Sequence, residues 1–379
     1  MSKINFRNEK MLIGYYILFV LAIVVIGIIK PALNWDMIGY VASAKHFEIS
    51  NPLELHNFVF TNLKDYVSSD IYLSLTDSGN QYRVDMATNP ELFYQQLPFY
   101  EIRPIYTLSI LLISKLGFNI FTATYAVSLI STVLGIFLLL FALKDKVDKG
   151  LLYILPFFLM FFGILSIAKL STPDAMIFLS LSIFIYLFSK AKIPLLLFIM
   201  PIFVLIRTDI IIFNFLALLA IFFLYKDYKI KSLVSLAVTI ALYLFINNLF
   251  HNYGWSTIFS ITLIERISNP ADVSLTVSIV DYARAFARGI FKSLLDRTFL
   301  GFISIMLLSL LLMKIFIKSF IENKEILVYL IIPILYISIH FVLFPVTWDR
   351  FFIGFYTMTV VALLLLLSKI ITKYENSII

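Results

Sequence analysis

The sequence predicts an all-α polytopic membrane protein with about ten transmembrane helices. Of its 379 residues, 61% are hydrophobic and 14% are charged, whereas a soluble domain carries about 25% charged residues. A soluble chain this poor in charge could not cover its own surface. Apolar runs recur throughout, so residues 1–379 are expected to form a single membrane domain. The absence of cysteine excludes disulfides and cysteine-ligated metal sites.

Ten apolar runs are the candidate spans. The first is expected to be a retained signal-anchor, because its apolar run is too long for a signal peptide and no small-residue cleavage pattern follows it. Three runs, 175–189, 193–206 and 210–225, are shorter than the roughly 20 residues that cross hydrocarbon. Short helices are tolerated where their ends are buried in protein or line a cavity, so these runs indicate a site. The ten runs are 10–29, 119–143, 151–169, 175–189, 193–206, 210–225, 232–248, 299–317, 325–345 and 351–370.

The distribution of charge predicts the orientation. With the N-terminus inside, the cytoplasmic segments hold 16 basic and seven acidic residues, a net +9, and the other face has a net −2. Every short cytoplasmic loop is then basic, as the positive-inside rule requires. The protein is expected in a bacterial inner membrane, with both termini on the cytoplasmic side. Two long segments, 30–118 and 249–298, are expected on the outer side. The total charge of +7 is explained by orientation and does not indicate a nucleic-acid partner.

The first outer segment is expected to hold juxtamembrane helices. Residues 37–48 have a helical pattern, and 71–98 carry turn signals and are expected to form a loop. The apolar stretch 104–117, with Pro104 at its start and Gly117 at its end, fits an interfacial helix. The alternative is that it spans the membrane, which would place the basic loop 144–149 outside, against the charge rule.

The second outer segment contains a basic amphipathic helix at 280–297. Arg284, Arg288 and Lys292 recur every four residues and form one cationic stripe. These residues are candidate contacts to lipid or acceptor, through anionic headgroups or lipid-linked phosphates. Anchoring to the membrane surface without any role in binding is the alternative.

Two acidic residues at outer ends of spans have a functional and a structural interpretation. Asp36, beside Trp35, is a candidate general base that accepts a proton from an acceptor hydroxyl. Its alternative role is the N-cap of helix 37–48. Asp174, which follows Pro173, is a candidate second acid or the cap of helix 175–189. Tyr40 is a candidate lipid or acceptor contact.

Three arginines are candidate ligands for a phosphate. Arg207 could form a local ion pair with Asp209 or face a cavity and bind phosphate through its guanidinium fork. Arg350, in the motif Thr347-Trp348-Asp349-Arg350, could snorkel from a helix end. Arg103 precedes the interfacial helix. With few fixed counter-charges nearby, Arg103, Arg207 and Arg350 are expected to form a phosphate cradle. Arg207→Ala or Arg350→Ala should then weaken binding of the phosphate-bearing ligand and retain folding.

The remaining motifs exclude several classes of enzyme. The four histidines, His46, His56, His251 and His340, show no spacing typical of a metal site, so no metal ligand is predicted. His340 is expected to be a satisfied core histidine. No Walker pattern, phosphate-binding glycine loop or Gly-x-Ser-x-Gly is present, which argues against a cytoplasmic nucleotide-driven enzyme.

The order of four stretches resembles the GT-C superfamily of integral-membrane glycosyltransferases. A first span followed by an outer Asp precedes stretches 103–135, 171–188, 205–223 and 348–367, and the resemblance covers nearly the whole chain. It implies that Asp36 is the catalytic base and that Asp174 is a second acid near the site. It also implies that Arg103, Arg207 and Arg350 hold the donor phosphate. No Asp-Glu pair follows the first span and no large soluble C-terminal domain is present, so a protein acceptor is disfavoured and a divalent cation, although open, is doubtful.

The expected function is therefore inverting transfer of a sugar from a polyprenyl-phosphate carrier to a surface glycan or glycolipid, such as lipopolysaccharide O-antigen or a cell-wall polymer. The expected partners are this donor, the glycan acceptor and membrane lipids. Two alternatives remain: a polysaccharide polymerase that joins lipid-linked repeat units, and a flippase or transporter of lipid-linked glycan. A flippase should have charged cavity residues in the cytoplasmic halves of its spans, and these halves are nearly uncharged.

The orientation can be tested by cysteine labelling, since the chain has no native thiol. Asn80→Cys, in the first outer segment, should react with a membrane-impermeant maleimide added to intact cells. Labelling of this variant only after the membrane is permeabilised would reverse the predicted topology.

Overall fold

Helices account for the regular secondary structure of this protein. The computed structural model describes residues 9–272, 276–316, 323–346 and 348–378. Within these ranges every regular element is helical, and the one pairing of extended backbone is an isolated bridge between Ala32 and Leu170. The all-α class is thus confirmed. Thr347, part of the predicted Arg350 motif, lies outside the described residues, as do the N-terminal Lys3 and Arg7.

The helices are labelled in chain order. Those of the first half are α1 (Glu9–Ile29), α2 (Trp35–His46), α3 (Pro52–Tyr66), α4 (Ser69–Thr76), α5 (Gln81–Thr88), α6 (Pro90–Tyr94), α7 (Pro98–Glu101), α8 (Pro104–Lys115), α9 (Ile120–Leu143), α10 (Lys149–Leu152), α11 (Leu155–Phe161) and α12 (Ile164–Lys169). Those of the second half are α13 (Asp174–Ser189), α14 (Ile193–Ile199), α15 (Ile211–Leu224), α16 (Lys229–Leu249), α17 (Trp255–Leu263), α18 (Ile279–Leu295), α19 (Arg297–Phe316), α20 (Lys324–Leu343) and α21 (Ile353–Ile378). Short 3-10 helices cover Met200–Leu205, Thr208–Ile210, Lys226–Tyr228 and Asp349–Phe351.

Six helical segments are long and apolar enough to cross a membrane, judged by length and composition among the described residues. The other four predicted spans are shorter apolar segments, so the structure fits a polytopic membrane protein and the count of ten stays a prediction. The six segments are Glu9–Ile29, Ile120–Leu143, Lys226–Leu249, Arg297–Phe316, Lys324–Leu343 and Ile353–Glu375.

The predicted span 151–169 is broken into three short helices, α10, α11 and α12. Pro156 lies at the start of α11, where the missing N–H costs nothing because that group has no partner within a helix. Gly163 separates α11 from α12 and adopts φ +90°, a left-handed conformation that L side chains rarely tolerate. The continuous apolar run that predicted one helix is therefore interrupted at Gly163.

The prediction that 71–98 forms a loop is wrong, because this stretch contains most of α4 and all of α5 and α6. The turn signals are real, but they end and begin helices. Ser78 and Gly79 have positive φ between α4 and α5. The Asn89 side chain accepts hydrogen bonds from the N–H groups of Glu91 and Leu92 and so caps α6.

Two predicted juxtamembrane helices are present with shifted ends. The helix expected at 37–48 is α2, which begins at Trp35 and ends at His46. The helix expected at 104–117 is α8, whose 12 residues end before Gly117 at φ +98°. Tyr106 and Ile110 of α8 are fully buried. The interfacial position of α8 stays a prediction.

Two hydrophobic cores share helix α9. The larger core contains buried side chains of α1, α10–α15 and α19–α21 together with most of α9. The smaller core is formed by α2–α8 and the first turns of α9, including Phe121 and Val127. Met176 of α13 packs against both cores.

Candidate active site

Five charged residues that are distant in sequence form one continuous chain of ion pairs, which we call the acid–arginine chain. Arg350 Nη1 lies 3.0 Å from Asp36 Oδ2, and Arg350 Nε lies 3.8 Å from Asp174 Oδ2. Arg207 Nη1 lies 2.5 Å from the other oxygen of Asp174. Arg207 also binds Asp209 through two bonds, Nε–Oδ1 at 2.6 Å and Nη2–Oδ2 at 2.9 Å. The order is therefore Asp36, Arg350, Asp174, Arg207, Asp209.

Helix ends position these side chains. Asp36 lies in the first turn of α2 and Asp174 is the first residue of α13, where the helix dipole favours a negative charge. Asp209 and Arg350 lie in the 3-10 helices Thr208–Ile210 and Asp349–Phe351. These polar residues lie at or just before the first turn of a helix. Packing of the helices side by side therefore brings the polar residues together.

The structure corrects both predicted N-caps. The N-cap residue of α2 is Asn34, and that of α13 is Pro173, so neither Asp36 nor Asp174 occupies the cap position. The Asp36 carboxylate accepts a hydrogen bond from Asn34 Nδ2 at 3.1 Å. The Asp174 carboxylate accepts one from the Thr172 hydroxyl at 2.6 Å. Both carboxylates thus point toward arginines and away from the backbone N–H groups of their own helices.

At the Asp209 end of the chain, Arg207 is buried and fully paired, and the side chain of Asp209 is 28% exposed. Arg207 is 4% exposed, and its guanidinium lies 4.7 Å from the centre of the Phe351 ring. Burial by itself lowers the pKa of Arg207, but the Asp209 carboxylate raises it, and the net direction is upward. The local pair with Asp209, one of the two sequence interpretations, is therefore present. The expectation of few fixed counter-charges is wrong at this arginine, because two carboxylates already occupy its donors.

The opposite end of the chain reaches the surface. The side chains of Asp36 and Arg350 are 29% and 25% exposed. The Arg350 guanidinium lies 5.3 Å from the ring centres of Trp348 and Phe351. Burial lowers the pKa of Arg350 and the carboxylates of Asp174 and Asp36 raise it, with an upward net direction. Arg350 is thus a paired cation in a partly open site.

Arg103 differs from the other two arginines because its partners are neutral. Its Nη1 donates to the Tyr40 hydroxyl at 2.5 Å and to the Phe99 carbonyl at 3.0 Å. Its buried Nε has no hydrogen-bond partner, and no ion pair of Arg103 occurs among residues 9–272, 276–316, 323–346 and 348–378. Arg103 is therefore a half-buried cation without an acidic neighbour in direct contact.

Tyr40 connects Arg103 with the acid–arginine chain. Its buried ring makes edge contacts with Tyr100 and Tyr106, with centroids 5.0 and 4.8 Å apart. Burial raises the pKa of Tyr40, and the carboxylates of Asp36 and Asp174 raise it further. The guanidinium groups of Arg103 and Arg350 lower it. Both arginines and both acids therefore lie within electrostatic range of one phenol.

The structure does not connect the predicted basic stripe with this site. Arg284 pairs with Asp281 at 3.6 Å on α18, and Arg288 donates to the Arg284 carbonyl. In the part of the chain that is described, no ion pair or hydrogen bond links Arg284, Arg288 or Lys292 to the acid–arginine chain.

Sequence reasoning did not select Tyr336, and it interpreted His340 as a satisfied core histidine, although the buried Nδ1 of His340 has no hydrogen-bond partner among the described residues. Tyr336 donates its hydroxyl proton to Asp209 at 3.0 Å, and His340 Nε2 lies 3.7 Å from the same carboxylate oxygen. Both residues are four apart on α20 and so share one face of an apolar helix. Two polar residues at this spacing within a candidate span were the available signal. In the described residues, no group of three His, Asp or Glu side chains could hold a metal ion.

A second acidic pair lies beside Arg350. The Thr298 hydroxyl donates to Asp349 and also lies 2.7 Å from Asp296 Oδ1. Burial and the nearby Asp296 carboxylate together raise the pKa of Asp349 to about 6, against the lowering effect of the hydrogen bond from Thr298. Asp349 is therefore held closer to its neutral form than an exposed aspartate.

No family model, curated protein or solved structure matches this chain.

Removal of Arg207 should destabilise the protein, a change from the expectation of retained folding. Arg207→Ala leaves the buried carboxylate of Asp174 and the partly exposed carboxylate of Asp209 without their main partner, which costs about 3–5 kcal/mol. Thermal unfolding in detergent should show a lower midpoint and a lower folded yield. Arg288→Ala, which removes an exposed arginine, is the control and should unfold like the wild type. Equal midpoints for the two variants would contradict a stabilising role of the buried pairs.

Asp349→Asn should stabilise the protein near neutral pH. An acid whose pKa is raised in the folded state to about 6, from 3.8, is protonated more in the folded than in the unfolded chain between these values. Stability therefore falls as pH rises through this window, and the neutral amide should recover about 1–2 kcal/mol at pH 7.5, allowing for partial exposure.

The measurement is the unfolding midpoint at pH 7.5 and pH 4. The gain from Asp349→Asn should be present at pH 7.5 and nearly absent at pH 4. Asp65→Asn, on an exposed position of α3, provides the matched control and should not change the midpoint at either pH. A gain that is equal at both pH values would show that ionisation of Asp349 is not its cause.

Proposed function

We propose that this chain is a GT-C-type glycosyltransferase that moves a sugar from a polyprenyl-phosphate carrier to a glycan or glycolipid acceptor on the extracytoplasmic face. The observation that supports this most strongly is the partly exposed Asp36–Arg350 pair beside Arg103. It offers an acid, a cation that can exchange partners and a cation with neutral partners at one place. These are the groups that base-assisted displacement of a phosphate requires.

The donor phosphate is expected to engage Arg350 and Arg103. Arg350 is held by the carboxylates of Asp36 and Asp174, so an incoming phosphate competes with Asp36 for the same guanidinium. Arg103 can donate hydrogen bonds to phosphate oxygens without losing an acidic partner, and its planar fork suits two oxygens of one phosphate. Binding of the donor would thus release the Asp36 carboxylate at the moment when a base is needed.

The chemical step is a single displacement. Asp36 takes the proton of the acceptor hydroxyl, whose oxygen attacks the anomeric carbon and forms the new glycosidic bond. The bond between that carbon and the phosphate oxygen breaks, and its electron pair stays on the phosphate, where Arg103 and Arg350 stabilise the charge. The anomeric centre is inverted, and polyprenyl phosphate leaves as the second product.

Asp174 and Arg207 act as positioning residues in this proposal. Asp174 is 3% exposed and its two oxygens contact Arg350, Arg207 and Thr172, so it cannot meet a substrate without breaking these contacts. Its proposed role is to orient the Arg350 guanidinium. Arg207 in turn holds Asp174 in place. Arg207 therefore has a structural role in this proposal and does not bind the donor phosphate.

The proposed orientation in the membrane rests on the position of the basic loops, which meet at one end of the helices. Lys144 pairs with Glu9, Lys190 with Asp145, and Lys146 with Glu325, at the ends of helices remote from the acid–arginine chain. These loops contain the lysines that the charge rule assigns to the cytoplasm. With that orientation, Asp36 follows the first span on the outer face, where lipid-linked sugars replace nucleotide sugars as donors.

The proposal is tested by turnover of purified protein in nanodiscs supplied with polyprenyl-phosphate sugars of several kinds and a short glycolipid acceptor. Asp36→Asn should bind donor and lose about 10²–10⁴-fold in turnover, because the amide cannot accept the proton. Arg103→Gln should weaken donor binding by about 10–100-fold through loss of a charged hydrogen bond. Arg288→Gln, which changes an exposed arginine of α18, is the matched control and should resemble the wild type.

Different results exclude different parts of the proposal. Unchanged turnover in Asp36→Asn would show that Asp36 is not the base, and unchanged donor affinity in Arg103→Gln would remove Arg103 from the phosphate site. Consumption of no sugar donor would contradict the enzyme assignment. Movement of an intact lipid-linked glycan between leaflets would identify a flippase, and repeated addition of whole repeat units would identify a polymerase.

A further inference from the structure

Helix α18 has three distinct faces. Its buried face carries the small residues Ala285, Gly289 and Ser293. A second face carries the basic stripe predicted from the sequence. The third face is apolar and exposed, and its largest side chains are Ile279, Val280, Ile290, Phe291 and Leu294. Ile279 is 88% exposed and Phe291 is 65% exposed, so this apolar face has no covering partner among the described residues.

The buried face attaches α18 to the end of a candidate membrane span. The Tyr282 hydroxyl donates to the carbonyl of Val342 at 2.6 Å, and the ring centroids of Phe286 and Phe341 are 5.3 Å apart. A Cβ atom on Gly289 would lie 2.5 Å from the Pro345 carbonyl oxygen, so the small residue permits this close approach. Val342 belongs to the last turn of α20, whose residues Lys324–Leu343 form a candidate span.

The C-terminal end of α18 is also attached to a span. Helix α18 ends at Leu295, and the candidate span α19 begins at Arg297. Helix α18 therefore contacts the C-terminal end of α20 and is joined to the N-terminal end of α19. Because these two spans run in opposite directions, both ends lie on the same side. This is the level at which a membrane changes from hydrocarbon to headgroups. Two independent attachments thus place α18 at the membrane boundary.

The charge of α18 is suited to a negative surface. Arg284, Arg288 and Lys292 line the face next to the exposed apolar one, and Asp281 offsets one of the three charges through its pair with Arg284. Arg284 is 69% exposed, so its guanidinium remains accessible. A helix with an apolar face beside a cationic one binds in the plane of the interface, with hydrocarbon against the first face and anionic headgroups against the second.

We infer that α18 is a docking helix for anionic lipid, with the exposed apolar face in the acyl region and the basic stripe against headgroup phosphates. The occupant is the surface of the bilayer and not the sugar donor. Among the described residues, no ion pair or hydrogen bond joins the basic stripe to the acid–arginine chain. This inference is independent of the proposed catalytic activity. It assigns the second outer segment the role of fixing the protein's depth and tilt in lipid of negative charge.

The test uses the cysteine-free background. Ala287→Cys, at an exposed position of the apolar face, and Asp281→Cys, on the charged face, are each labelled with an environment-sensitive fluorophore. The full chain is reconstituted in vesicles of phosphatidylcholine alone or with three-tenths phosphatidylglycerol, with bromines on the acyl chains as quenchers. The label at position 287 should be quenched at least two-fold more than the label at 281, and more strongly when phosphatidylglycerol is present.

A charge variant provides the matched comparison. Replacement of Arg284, Arg288 and Lys292 by Gln should abolish the effect of phosphatidylglycerol at position 287, whereas Lys64→Gln on α3 should leave it unchanged. Since all four positions are exposed, folding should be retained, and gel filtration checks it. Equal quenching at 287 and 281, or quenching indifferent to phosphatidylglycerol, would overturn the inference. A fluorescence change at position 287 on addition of a short-chain isoprenyl phosphate, with no response to phosphatidylglycerol, would also overturn it and indicate a donor site.

Discussion

The desolvation of Arg207 constrains the centre of this structure. A buried guanidinium is tolerated only when its donors are paired, and here two carboxylates from different connections supply the pairing. Asp174 must therefore begin α13 at this point, and the 3-10 helix that carries Asp209 must lie against α20. The three short apolar segments that surround these residues are explained in the same way, since their ends are buried against each other.

The acid–arginine chain is buried at Arg207 and Asp174 and partly exposed at Arg350 and at its two terminal acids. At Arg207 each donor has a carboxylate, and exchange with a ligand would leave charges unpaired in the interior. At Arg350 the guanidinium shares two acids and meets the surface, so exchange with another anion costs less. A scaffold and a reactive pair can thus belong to one ion-pair system, with Asp174 connecting them. This difference in burial and pairing between Arg207 and Arg350 is the physical basis for assigning Asp36 and Arg103 the chemical roles.

Sequence patterns predicted elements better than they predicted partners. Helices α2, α8, α9, α13 and α18 lie within a few residues of their expected positions, because apolar periodicity and Pro or Gly at the ends are local signals. The turn signals at Asp77–Asn80 and Asn89–Pro90 were placed correctly but were interpreted as a loop, since the short helices between them gain stability from the smaller core. The capping roles of Asp36 and Asp174 were wrong because arginines from other helices compete for their carboxylates.

Sequence patterns were sufficient to predict the all-α class, the apolar helices and the charged groups at their ends, because apolar runs and helical periodicity are local properties of the chain. They also selected Asp36, Asp174, Arg207 and Arg350 as residues of one level. Tertiary structure alone decided which acid meets which arginine, and it left Arg103 with neutral partners. These pairings join residues as far as 314 positions apart. No local pattern encodes such contacts, since the packing of distant helices determines which charges are buried together.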